Sequence, residues 1–370
     1  MRIEGVGAVV QAQGAEIHLE PILIDDPGPG EVRVRVSANG LCHSDHWAIH
    51  HGNWGEPFPM LLGHEGAGII DAVGEGVTGL EPGTPVLIAW AVPCGECRLC
   101  LRGEPRQCAH AWSQPPRIRA ARAGSALVGT LSLGSLSTHT VVHAAQAIPL
   151  PAGADPVHAC LLGCGASTGV GAALNTADLR PGMRVAVIGL GGIGLAALQG
   201  ARIAGATQIV AIDLVLGKLA MAKEFGATDV VDASESDPIA AVRALTGGVD
   251  VAFEATGVAS VVAQAVAMLD RSGTAVAIGV PAPDSQVTLV WGGDSVGAAY
   301  PNKARLLITD GGDPLREDFA TWLGWSVDGR LDLASMVTQV APFTEEAIAE
   351  GFRAMLAGEV IRTVIRIDGG

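Results

Sequence analysis

The sequence predicts an α/β protein in which a β-rich domain is interrupted by a doubly wound parallel sheet. Three observations carry this. The chain has 370 residues, enough for roughly two domains at ~150 residues each. Between Val185 and Val280, short apolar runs alternate with helical stretches, the rhythm of a parallel sheet covered by helices. The preceding stretch instead carries dense turn signals and period-two patterning.

In chain order, Val32, Val34 and Val36 alternate with Arg33 and Arg35, which predicts a half-buried strand. Asp26-Pro27-Gly28-Pro29-Gly30 and Glu81-Pro82-Gly83-Thr84-Pro85 each end one short element and begin another. The texture changes near Leu179-Arg180-Pro181-Gly182. Val185–Ile188 reads as a buried strand entering a glycine loop, Gly192–Ala204 as a helix, Gln208–Ile212 as the next strand and Lys218–Phe225 as the next helix. Asp229–Val231, Val249–Phe253 and Thr274–Val280 continue the strands, with Val258–Leu269 helical between the last two. After about residue 304 the rhythm is lost, until a helix at Glu345–Leu356 and a closing strand at Ile361–Ile367. The expected division is 1–165, 166–304 and 305–370, the last part returning to the first.

Composition narrows the function classes. With 49% hydrophobic and 16% charged residues, the chain can bury a core and is not a disordered polymer. Its formal charge of −15 disfavours nucleic acid and anionic membrane surfaces as partners. Mean hydropathy is +0.37, but no uninterrupted apolar run reaches the ~20 residues that span a bilayer. Met1-Arg2-Ile3-Glu4-Gly5 lacks a basic head followed by an apolar signal core, so a cytoplasmic protein is expected. Seven cysteines then point to metal or catalytic chemistry before disulfides.

Four of them, Cys94, Cys97, Cys100 and Cys108, have the spacing of a closed tetrathiolate zinc site, which is structural because no position is left open. Of the rest, Cys42 and Cys164 together with His64 supply two thiolates and an imidazole. Three such ligands leave a fourth position for water or substrate, the arrangement of a catalytic zinc. Taken singly, a cysteine is as well read as a small buried apolar residue and a histidine as structural. Cys160 is expected merely to pack.

Gly189-Leu190-Gly191-Gly192-Ile193-Gly194 follows one predicted strand and opens one predicted helix, the context a pyrophosphate cradle needs. Asp213 ends the next strand. A carboxylate there accepts from ribose hydroxyls and repels a 2′-phosphate, which favours NAD over NADP; the plainer reading is a helix cap.

Cys42-His-Ser-Asp, Gly63-His-Glu-Gly-Ala-Gly68, the cysteine quartet, Leu162-Gly-Cys-Gly-Ala-Ser-Thr-Gly169, the glycine loop and Ile361-Arg362-Thr363 occur in one order along the chain. That set resembles the zinc-dependent medium-chain alcohol dehydrogenases, in particular the class I and class III alcohol and formaldehyde dehydrogenase branch, over essentially the whole sequence. The resemblance implies a GroES-like catalytic domain with an inserted Rossmann domain, NAD, two zinc ions per chain, and a homodimer or homotetramer. It implies that Cys42, His64 and Cys164 hold the catalytic zinc with Glu65 nearby, that Asp45 orients the histidine ligand, and that Ser44 takes the alcohol proton. It further implies cofactor contacts from His43, Thr168, Ile193, Lys218 and Arg362, with Val280 counted beside the glycines and Asp213. Trp90 and Trp54 are expected at the substrate pocket.

Two departures stand out. The position that relays the proton outward in several relatives is Trp47 here, so either His46, His50 or His51 takes the task or a one-residue insertion shifts the segment; His46 is the first choice, the plainer reading being a surface histidine. The stretch Ala109–Leu131 is unusual, and its arginines around Pro115–Arg122 either attract an acidic substrate or thiol adduct or belong to a solvated loop, the preferred reading. The implied activity is hydride transfer between a primary or aromatic alcohol, or its aldehyde, and NAD. Alternatives are oxidation of a formaldehyde–thiol adduct, although Gly52-Asn53-Trp54-Gly55 lacks the acidic residue expected there, and a nicotinoprotein that retains its NAD. A catalytically silent zinc protein is disfavoured by the intact Cys42, His64, Cys164 and Ser44 set.

Overall fold

The computed structural model describes residues 2–52, 56–108, 116–289, 304–309 and 311–367. Trp54 and the whole of the 109–115 and 290–303 stretches therefore lie outside the described residues. The chain forms two units, Met1–Gly165 with Leu315–Gly370, and Ala166–Pro314.

In the first unit, Ile3–Val10, Ile17–Ile24, Ile118–Ala120, Ala126–Gly129 and Met60–Leu61 close a small barrel. A second sheet runs in the order Ala147–Pro149, Pro85–Ile88, Gly66–Val73, Glu31–Gly40, Arg362–Arg366, Val337–Pro342, with His139–His143 also paired to Glu31–Gly40. The strand expected to be half-buried, Glu31–Gly40, is buried at every position but Arg35. Three strands pair with it, and Arg33 enters the interior because its charge is met there. Its Nε donates to both Asp71 oxygens (2.9 and 3.1 Å) and its Nη1 to Asp26 (3.1 Å). The C-terminal strand Arg362–Arg366 pairs antiparallel with Ala38–Gly40, immediately before Cys42.

The second unit is a six-stranded parallel sheet in the order Asp229–Asp232, Gln208–Asp213, Arg184–Ile188, Val249–Glu254, Leu269–Ala277, Arg305–Ile308. Helices Gly192–Ile203, Leu216–Glu224, Pro238–Thr246 and Ala259–Met268 connect successive strands. Strand order reverses between Arg184–Ile188 and Val249–Glu254, and the crevice outside the carboxyl ends at such a point is where open α/β sheets bind ligands.

The loss of rhythm expected after residue 304 is not what the backbone does. Arg305–Ile308 pairs in parallel with Thr274–Ala277, so the return to the first unit falls at Leu315 and not at 305. The helix Arg316–Val327 follows, burying Phe319, Trp322 and Leu323 on one face. Among the described residues, no single helix is long and apolar enough to cross a membrane.

Candidate active site

Cys42 ends the run that follows Glu31–Gly40 and immediately precedes the helix His43–His51; His64 and Glu65 precede the strand Gly66–Val73; Cys164 follows the short turn Cys160–Gly163. All three places lie in the first unit. One ligand atom from each of Cys42, His64, Glu65 and Cys164 lies within 4.8 Å of the others, and all four residues are buried. Trp90 belongs to the same apolar cluster as Cys42 and Cys164.

The set has the donor atoms and spacing of a metal site. Asp45 Oδ1 accepts from the Gly63 N–H (2.9 Å) and lies 3.2 Å from His64 Nδ1. The other ring nitrogen, Nε2, is buried with no hydrogen-bond partner among the described residues. A buried imidazole nitrogen left open beside two sulfurs is what a zinc ligand requires, and a carboxylate on its far nitrogen fixes the ring. Electrostatics agree. A hydrogen bond from Cys164, with the charge of His64, holds the Cys42 thiol well below its ordinary range, while sharing that proton pushes Cys164 up. Burial pulls the His64 imidazole down, but Asp45 and Cys42 outweigh it and hold it well above its usual range.

Glu65 and Arg362, 297 positions apart in sequence, pair directly: Arg362 Nη2 donates to Glu65 Oε2, and the Gly165 N–H donates to Oε1 at 3.0 Å. Burial pushes the Glu65 carboxyl up to about 7 against the opposing pull of Arg362. Gly40 makes room for this pair, since a Cβ there would overlap Glu65 Oε2. Nothing local in the sequence announces either contact.

Ser44 Oγ lies 3.7 Å from Cys42 Sγ, at the edge of the cluster. His46 is not brought to it. Two residues along a helix rotate a side chain by about 200°, so His46 faces away from Ser44. Its ring lies 4.3 Å from that of His50 and 6.5 Å from Phe352. His43 is exposed one residue after Cys42.

Cys94, Cys97, Cys100 and Cys108 also place their sulfurs within 4.8 Å of one another, with 3.5 Å between Cys94 and Cys108 and 4.0 Å between Cys97 and Cys108. A tetrahedral zinc with bonds of about 2.3 Å needs sulfurs about 3.8 Å apart, so the quartet fits. Backbone N–H groups of Cys94 and Cys97 already point at Cys108 and Cys94 sulfurs (3.2 and 3.4 Å). Cys160, fully buried, donates its S–H to the Val157 carbonyl at 3.3 Å, as a packed thiol does.

In the second unit, Gly189 follows Arg184–Ile188 at φ +88° and turns the chain into the helix Gly192–Ile203. A Cβ on Gly194 would overlap the Gly189 carbonyl, so helix and loop approach only because it is glycine. Gly191 faces open space and no side chain caps the helix start, which leaves N–H groups of its first turn for an anion. This cradle suits a pyrophosphate. Asp213 does more than sequence reasoning assigned it: Oδ2 accepts from Leu190 N–H (2.7 Å) and Oδ1 from Val215 N–H (3.0 Å), tying the glycine loop to the next strand. Lys218 lies in the first turn of Leu216–Glu224, Ile193 is half-buried in the first turn of its helix, Thr168 is buried in Gly165–Gly171, and Val280 is 59% exposed beyond Leu269–Ala277.

One contributor was overlooked. Glu254 Oε1 accepts from Thr256 N–H (2.6 Å), Gly257 N–H (3.0 Å) and the Thr256 hydroxyl, shaping the turn against which Gly189 packs. An acid ending the apolar strand Val249-Asp-Val-Ala-Phe-Glu254 was the available signal.

Of the arginines near residue 117, two are met by acids and Arg122 is exposed in the turn that follows. Ile118–Ala120 is a barrel strand, Arg117 pairs with Glu31 (2.8 Å) and Arg119 with Asp25 (3.5 Å).

Residues 28–152 match the alcohol dehydrogenase GroES-like domain family, and residues 192–308 the zinc-binding dehydrogenase family. An alcohol dehydrogenase zinc-binding domain protein from Burkholderia ambifaria is similar over 100% of both chains, at 31% identity and a TM-score of 0.90. A benzyl alcohol dehydrogenase from Acinetobacter calcoaceticus is similar over 99% of each, at 28% identity and 0.87. An alcohol dehydrogenase from Thermus sp. ATN1 aligns over 98% of this chain and 99% of its own, at 26% and 0.77.

Proposed function

Since the chain belongs to the zinc-dependent medium-chain alcohol dehydrogenase family and is an oxidoreductase of that type, we propose that it moves hydride between a primary or aromatic alcohol, or its aldehyde, and NAD. The observation that carries this is the buried cluster of Cys42, His64, Glu65 and Cys164 with His64 Nε2 left open. The family-level role of zinc makes Cys42, His64 and Cys164 its ligands at an open site and the cysteine quartet its ligands at a closed one.

Zinc, when bound, supplies positive charge that makes an alcohol proton easier to remove, and NAD supplies the hydride acceptor. The chain's own groups do the rest. Asp45 holds the His64 ring by its Nδ1 side. Ser44, beside Cys42, is the hydroxyl placed to receive the alcohol proton. Arg362 keeps Glu65 compensated inside the site, and the glycine loop with Asp213 receives the pyrophosphate and ribose. Trp90 and the surrounding aliphatic residues exclude water and suit an aromatic ring. The benzyl alcohol dehydrogenase neighbour supports an aromatic substrate. Against the thiol-adduct alternative, Arg117 and Arg119 are paired with Glu31 and Asp25.

A homo-oligomer is part of the proposal. Among the described residues, Arg305–Ile308 is the last strand of its sheet, with Ile308 82% exposed, and such an edge suits a second copy of the chain. So are a cytosolic location and the absence of nucleic-acid or membrane partners, on the charge of −15.

An alcohol panel followed at the NADH absorbance, with and without added thiols, tests the activity. Primary and aromatic alcohols should reduce NAD without thiol. A zinc-replete chain inactive on all of them refutes the proposal.

A further inference from the structure

The helix His43–His51 carries four histidines, and two of them are arranged as ligands. His46 and His50 are one turn apart on one face, with ring centroids 4.3 Å apart and the planes tilted by 52°. Histidines at i and i+4 are the helical spacing at which two imidazoles reach one metal ion. Neither ring is hydrogen-bonded to another described residue in this structure.

Both rings open into a cavity of about 560 Å³ between this helix, the start of Ile17–Ile24 and the helix Glu345–Leu356. Its apolar wall includes Ile17, Ile49, Phe352 and Leu356. Its charged wall is acidic, with Glu16, Glu345 and Glu346, while Arg353 has its guanidinium committed to Glu350 and Glu359. His18 completes that wall, 3.6 Å from Glu345. Such a cavity favours a cation, and paired imidazoles select zinc, copper(II) or nickel(II) over magnesium or calcium.

We propose that His46 and His50 chelate a divalent transition-metal ion in this cavity, at a third site separate from the two thiolate clusters. Water completes the coordination, because the cavity brings only two imidazoles within one turn of each other. The ion binds more weakly than at a closed four-ligand site for the same reason.

The test is equilibrium dialysis of the untagged, zinc-loaded chain against nickel(II) in a weakly coordinating buffer, with nickel and zinc both counted. Wild type should take up one nickel per chain with its zinc unchanged. In His50→Ala the affinity should fall by about tenfold or more, and the nickel-induced rise in melting temperature should vanish. His50→Gln, isosteric in length and exposed, should behave as His50→Ala does. No nickel uptake, uptake matched by zinc release, or equal affinity in both variants and wild type each overturns the site.

Discussion

Replacing Asp45 separates the two tasks its carboxylate performs. The group is fully buried, and Oδ1 takes both the Gly63 N–H at 2.9 Å and the His64 ring at 3.2 Å. In Asp45→Ala two buried donors lose their acceptor. Each orphaned donor costs about 1–3 kcal/mol, giving about 2–6 kcal/mol for the zinc-free chain. The lower half is expected, because His64 can surrender its Nδ1 proton once the carboxylate no longer holds it. Losing a partner of this kind lowers metal affinity about 10–100-fold, or about 1.4–2.7 kcal/mol. Asp45→Asn keeps an acceptor of the same shape, so most stability should return while zinc affinity stays reduced, since the charge that makes His64 basic is gone. Urea unfolding of the zinc-free chains and zinc competition against a chromophoric chelator measure the two effects. The cysteine quartet is the internal control. If Asp45→Ala left zinc affinity at the open site unchanged, or weakened both zincs equally, the role given to Asp45 would be wrong.

Other expectations follow from the same geometry. Asp213→Asn removes the charge but can keep one of the two backbone bonds; the NAD-to-NADP preference in kcat/KM should drop by about tenfold, ~1.4 kcal/mol, and an unchanged ratio refutes the ribose role. Gly194→Ala sets a methyl against the Gly189 carbonyl, so NAD binding measured by fluorescence should weaken and stability fall by about 1–3 kcal/mol; tight NAD binding in this variant contradicts the packing argument. Glu65, raised from 4.5 to about 7 by burial, predicts a pH effect in the zinc-stripped chain. A carboxyl raised in the fold adds stability that is fully present below its unfolded value of 4.5 and lost as pH climbs through about 7. Over that window wild type should lose a few kcal/mol relative to Glu65→Gln in denaturant titrations; parallel profiles would exclude the buried carboxyl as the cause.

Local features explain which parts of the molecule could be read in advance. The glycine loop was legible because strand, turn and helix are contiguous, and Gly189 and Gly194 each meet a separate steric demand while Gly191 faces open space. The helix Pro238–Thr246 had equally local signals that went unused: Asp237 caps it, proline opens it and Gly247 closes it at φ +77°. Arg316–Val327 likewise shows Phe319, Trp322 and Leu323 at helical spacing. Other elements were not readable in this way. Met60–Leu61 is two residues long, too short for any period, and becomes a strand only because Val9–Val10 and Val128–Gly129 flank it. Arg33 reads as an outward charge, and only the fold brings Asp71 and Asp26 to it. At the site, the ligand residue types were legible, whereas the Arg362–Glu65 pair depends on the C-terminal strand returning beside Glu31–Gly40.

The central claim is that alcohol oxidation takes place at the buried Cys42, His64 and Cys164 cluster. Its most direct test is the initial rate of NADH formation from benzyl alcohol by wild type and Cys42→Ser, each with its zinc content measured. Wild type should turn over with two zincs per chain, and Cys42→Ser should fall to background while keeping the zinc of the cysteine quartet. A Cys42→Ser chain that oxidises the alcohol at the wild-type rate contradicts the account.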